Sequence, residues 1–139
     1  MNRTKIDFAD FSWNPFVGCD NNCPWCYARR VAKRRVGAII GCEKCSRFEF
    51  HVHADRFADI ERNSNPGIVF VGSMCDLFCD AALSYYGKDW PTPANILRDK
   101  IQNPRRAAQH QYIVLTKSPE NIPQGWNDDI PNLWVGVSV

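Results

Sequence analysis

The sequence predicts an α/β fold: a partial (β/α) barrel of parallel strands, apparently truncated after its fourth strand. Three observations lead there. Residues 68–71 (IVFV), 112–115 (YIVL) and 133–137 (LWVGV) are continuous apolar runs rich in β-branched and aromatic residues, the pattern of strands covered on both faces. The stretches between them can form crossover helices, and alternation of strand and helix points to a parallel sheet. The chain stops at Val139, directly after the last run, where a buried-type strand would be left as a bare edge. The expectation is therefore one domain over residues 1–139, the N-terminal half of a barrel, or a sheet that a partner completes.

In chain order, a first strand is expected through Phe8 to Trp13, weakened by its polar interruptions. Tyr27 to Val36 is rich in Ala and Arg and suits a helix. Pro93 to Ala108 suits another, with Pro93 in the first turn, Thr92 as N-cap and Pro104 ending or kinking it. Pro119 to Asn132 holds three prolines and a glycine and reads as loop.

The chain has 139 residues, of which 45% are hydrophobic and 23% charged, ordinary for a globular domain with its own core. A net charge of +2 neither demands nor excludes a nucleic-acid partner. No run is apolar and long enough to span a bilayer, and the first ten residues lack a signal-peptide core, so a cytoplasmic protein without a membrane partner is expected. Seven cysteines are many for such a chain. Their odd number and tight grouping favour metal ligands over disulfides.

The first group lies in a loop over residues 18–28, where Cys19, Cys23 and Cys26 have the spacing C-x3-C-x2-C and Tyr27 follows. A short loop of thiolates with Gly and Pro can wrap one inorganic centre, an iron–sulfur cluster or zinc. Three ligands would leave one iron of a cubane open for a substrate or cofactor, as three protein ligands leave a catalytic zinc open.

C-x3-C-x2-C followed by an aromatic resembles the signature of the radical S-adenosylmethionine (SAM) superfamily. Trp13-Asn14-Pro15, residues 70–78 (FVGSMCDLF), 114–120 (VLTKSPE) and 134–139 (WVGVSV) extend the likeness along nearly the whole chain. Together they resemble a phage-associated and prokaryotic family of unknown function that is itself similar to radical SAM proteins. In that family the chain continues well past this point, and Ser is common where Cys75 stands here. The resemblance implies a [4Fe-4S] cluster on Cys19, Cys23 and Cys26, with SAM on its open iron and Tyr27 packed beside it. It further implies an electron donor such as a flavodoxin or ferredoxin, and reductive cleavage of SAM to a 5′-deoxyadenosyl radical that acts on a substrate.

Strand ends supply the remaining candidates, because functional groups of such barrels gather at the C-terminal ends of strands. Gly72 allows close backbone approach, and Ser73 and Asp76 can bond an ammonium or hydroxyl group. The chain lacks the Gly-Gly-Glu-like motif common there, and Asp76 reads equally as a cap for the next turn. Thr116 and Lys117 follow the second run, Lys117 able to meet a carboxylate or phosphate. Ser138 follows the third, a SAM contact by fold analogy alone.

Residues 41–53 contain a second candidate metal site. Cys42 and Cys45 form a C-x2-C knuckle, and His51 and His53, two apart in an extended stretch, share a face. Two schemes stand: zinc on Cys42 and Cys45 with one or two histidines, or a site built from Cys42, Cys45, Cys75 and Cys79. Cys75 and Cys79 read better as small buried hydrophobes. Arg29, Arg30, Lys33, Arg34 and Arg35 read as the solvated face of a helix before a phosphate or nucleic-acid contact. Trp13, Trp25 and Trp134 read as core or cluster-shielding groups rather than base-stacking platforms. The function expected is thus radical SAM chemistry on an unknown substrate, with nucleic acid or a nucleotide one option. The alternatives are a non-catalytic zinc module and a fragment that binds the cluster without catalysis.

Overall fold

The computed structural model describes residues 1–36, 41–87, 91–102 and 109–138. Its strands are β1 (Asn2–Arg3), β2 (Phe11–Trp13), β3 (Phe16–Val17), β4 (His51–Val52), β5 (Ile68–Val71), β6 (Gln111–Thr116) and β7 (Leu133–Val137). Its α-helices are α1 (Tyr27–Val31), α2 (Glu43–Arg47), α3 (Asp59–Arg62), α4 (Asp80–Leu83) and α5 (Pro93–Gln102). The main sheet has the order β1-β2-β5-β6-β7, and β3 and β4 form a separate ribbon. β2, β5, β6 and β7 run parallel; β1 joins β2 antiparallel. Among the described residues the sheet is open, not a closed barrel. None of the helices is long and apolar enough to cross a membrane.

β5 and β7 match the expected runs, and β6 extends one residue beyond its run at each end. The first strand is shorter than expected. Phe8 is exposed and the chain turns at Ile6–Ala9, while the Asp10 carboxylate accepts the Ile68 N–H at 2.8 Å. The helix expected over 27–36 is α for only five residues and becomes a π-turn at Ala32–Val36. α5 starts as expected, the Thr92 hydroxyl accepting the Asn95 N–H at 3.3 Å. Pro104 lies outside the described residues, as does Val139.

Burial corrects the idea of strands covered on both faces. It alternates along β5 and β6, so one face carries the core and the other stays partly open. Trp13, Val69, Val71, Tyr112 and Val114 fill the inner face against Leu97 and Ile101 of α5, Leu77 and Phe78. Full burial of each large side chain contributes about 1.5–3 kcal/mol. His110, just before β6, is wholly buried edge-on against Phe11 and Tyr112. Burial lowers its pKa, the Asn63 and Gly67 carbonyls working in the opposite direction. Trp134 is 65% exposed on β7, which rules out the core half of its expected core or cluster-shielding role: it occupies the uncovered face of an outer strand.

Candidate metal centres

Parallel strands end on the same side, so the residues after β2, β5, β6 and β7 meet there. The cysteine loop closes over that end and leaves a cavity of about 280 Å³. Cys19, Cys23 and Cys26 line it, with Tyr27 at its edge. Gly72, Ser73 and Asp76 line it from the end of β5, Thr116 and Lys117 from β6, and Ser138 from β7. All the residues singled out at the first cysteine group and at the strand ends therefore share one cavity.

The loop is anchored at both ends. Gly18 (φ +98°) lies so close to the next segment that a Cβ there would stand 2.3 Å from the Glu49 carbonyl oxygen. Its N–H donates to the Met74 carbonyl at 2.9 Å. At the other end Cys26 caps α1, its Sγ accepting the Arg29 N–H at 3.4 Å. The Cys19 Sγ likewise accepts the Asn21 N–H at 3.4 Å. Amide N–H groups aimed at the Cys19 and Cys26 sulfurs suit thiolates, and such bonds would help set the potential of a thiolate-bound cluster.

Asp76 organises the cavity floor. Its carboxylate accepts from the Thr116 hydroxyl (2.7 Å), the Lys117 N–H (2.8 Å), the Asn21 side-chain amide (2.9 Å) and the Phe78 N–H (3.0 Å). It thus caps the following turn while tying the cysteine loop to β6. With four donors in place it is a positioning group rather than a free ligand contact. Ser73 is engaged by Asn14 at 3.0–3.1 Å, and its carbonyl accepts the Tyr27 hydroxyl at 2.6 Å. Burial raises the Tyr27 pKa, which keeps the phenol a donor. Lys117 Nζ reaches the Ser138 carbonyl and hydroxyl at 3.3 and 3.4 Å. Trp25, 69% exposed, forms the rim and is not a core group.

Cys75 and Cys79 do not join Cys42 and Cys45. Cys75 lines the cavity, where burial and then the Asp76 charge push its pKa up. Cys79 is wholly buried and lies with Cys19 and Asp20, their ligand atoms within 4.8 Å of one another. The hydrogen bond between the two thiols lowers the pKa of Cys19 and raises that of Cys79.

Cys42, Cys45, His51 and His53 form a second group that could hold a metal ion, their ligand atoms all within 4.8 Å of one another. His51 Nε2 is 3.4 Å from Cys42 Sγ, 3.3 Å from Cys45 Sγ and 2.9 Å from His53 Nε2. Cys45 Sγ is 3.2 Å from His53 Nε2. Cys42 stands at the N-cap position of α2 and Cys45 lies one turn in; His51 and His53 come from β4 and the residue after it. Without metal, burial and the Cys42 thiol push the Cys45 pKa up to about 12, while the Cys45 N–H lowers that of Cys42. Burial, aided by Arg56 and His51, lowers the His53 pKa to about 4, which favours the neutral imidazole that metals bind.

The sequence marks no role for Asn21, gives Asn14 only a place in a motif, and gives Arg29 only a place on a solvated helix face. Asn14 follows β2 in the Trp-Asn-Pro motif, and only that motif marked it. Arg29 reaches the Cys19 carbonyl at 3.4 Å and stacks over Phe48, so it is not merely part of a solvated face.

A family-wide sequence profile, described as "Protein of unknown function (DUF5131)", matches residues 3–139. No curated protein and no solved structure matches the chain.

Proposed function

We propose, for a chain that belongs to the DUF5131 family, the function of a radical SAM-type protein with its cluster on Cys19, Cys23 and Cys26. One observation carries the reading: three thiols of cluster spacing and the polar ends of three parallel strands line the same cavity. When bound, a reduced [4Fe-4S] cluster supplies the electron that cleaves SAM to methionine and a 5′-deoxyadenosyl radical.

The chain's own residues would bind, orient and exclude. Cys19, Cys23 and Cys26 hold the cluster. Lys117, at the cavity edge, suits a carboxylate, and Ser73 and Ser138 offer hydroxyls to an amino or ribose group. Asp76 holds Thr116 and the loop in register without meeting the cofactor. Phe70 and Leu115 give the cavity apolar walls, which protect reactive species from water. A flavodoxin or ferredoxin would supply the electron, and the substrate class stays open between nucleic acids and other molecules.

Anaerobic reconstitution with iron and sulfide tests this. The expected product is a brown protein that loses its visible charge-transfer absorption in Cys23→Ala and releases 5′-deoxyadenosine from SAM under reductant. A cluster without SAM cleavage would instead identify a binding fragment without catalysis. Zinc without labile sulfide would identify a non-catalytic zinc module, a second reading that the Cys42–His53 group favours.

A further inference from the structure

We propose that Cys42, Cys45, His51 and His53 hold one Zn²⁺ in a closed tetrahedral site, and that this ion fixes the cysteine loop from behind. Zinc bonds of about 2.3 Å to sulfur and 2.0–2.1 Å to nitrogen give a tetrahedron with edges of roughly 3.3–3.8 Å. Four of its six edges, at 2.9–3.4 Å, need only a slight expansion to admit the ion, and the other two lie within 4.8 Å. Two thiolates and two imidazoles in tetrahedral array are a donor set typical of structural zinc.

An outer contact fits as well. His51 Nδ1 lies 2.7 Å from the Glu49 carbonyl. The proton is then held on Nδ1, leaving the Nε2 lone pair for the metal. Four protein donors leave no open position, so the site is structural rather than catalytic.

Its location says what it supports. Val17 of β3 pairs with His51, and Phe16 with Val52. The His53 N–H donates to the Pro15 carbonyl at 2.7 Å. Gly18, the first residue of the cysteine loop, is pressed against the Glu49–Phe50 backbone. The segment 49–53 is therefore both half of the ligand set and the wall under the loop. Removing the ion would release the buried Cys45 and His51 and the half-buried Cys42 and His53, and loosen that wall.

The test uses the purified full chain, stripped of metal and free of iron and SAM, so that it stands apart from the cluster reading. Zn²⁺ is added, and cysteine alkylation is followed residue by residue by mass spectrometry. Co²⁺ serves as the spectroscopic probe. One equivalent should bind in the parent chain and in Cys23→Ala, with the intense visible bands of tetrahedral thiolate-bound cobalt. Cys42 and Cys45 should become protected, and alkylation of Cys19, Cys23 and Cys26 should slow about tenfold, as expected when an open segment becomes ordered. Cys42→Ser and His53→Ala, each checked for folding by circular dichroism, should lose affinity by more than the ~10–100-fold typical of an outer-shell change. Failure to bind, or binding unchanged in both variants, overturns the site. Equal alkylation of Cys19, Cys23 and Cys26 with and without zinc overturns its role in holding the loop.

Discussion

The two cysteine-bearing regions differ in how their ligands meet. Cys42, Cys45, His51 and His53 converge on a single point, as one small ion requires. Cys19, Cys23 and Cys26 spread around a cavity instead, as suits a larger inorganic body touched at several corners. The first group would leave no room for anything beyond one ion, its ligand atoms all lying within 4.8 Å of one another. The second is a wall with space beside it, and that space is lined by strand-end polar groups. The contrast separates a centre that holds structure from one that can meet a second molecule, and it does so by geometry rather than by ligand type.

The sharpest way to break the comparison is Cys23→Ala. Iron and sulfide binding should be lost entirely while zinc uptake persists, measured by elemental and labile-sulfide analysis of one sample. Gly18→Ala comes next. A Cβ pressed onto the Glu49 carbonyl and a left-handed backbone should cost roughly 2–4 kcal/mol in urea unfolding, and should weaken both centres because Gly18 adjoins both. Asp76→Asn should cost about 2–3 kcal/mol, since a neutral amide cannot accept all four hydrogen bonds. It should slow cluster reconstitution and leave zinc affinity unchanged. Tyr27→Phe removes one hydrogen bond at a half-exposed hydroxyl and should cost no more than about 1 kcal/mol.

A pH series supplies a baseline outside both centres. His110 is buried and its pKa is lowered from the ordinary value of 6.5. Between its folded and unfolded values the unfolded chain binds the extra proton. Its contribution to stability is therefore complete above about pH 6.5 and is lost as the pH falls through the lowered folded value. His110→Gln should flatten that part of the urea-midpoint profile.

Much of this was legible in the sequence where the signal is local. β5 and β7 are contiguous apolar runs, and their bounds follow from composition. Cys42 and Cys45, and His51 and His53, are grouped by spacing that places each pair on one side of its element. The strand-end residues were legible because parallel topology sends them to one side. β1 and β3 were not, because two-residue strands carry no periodicity. The commitments of Asp76 were hidden too: three of its donors come from residues 40 or more positions away. The exposure of Trp134 escaped because an apolar run does not reveal which of its faces a neighbour covers.

Those separations also set an order of events. The Cys42–His53 group closes over contacts of six to nine residues, short loops that cost little entropy and form within microseconds of collapse. Asp76 cannot be satisfied until β5, β6 and the cysteine loop have all arrived, across gaps of 40, 41 and 55 residues. Contacts of that range form late. A newly made chain would therefore present its compact ligand set early, while the cavity lined by Cys19, Cys23 and Cys26 takes shape only when the sheet is complete.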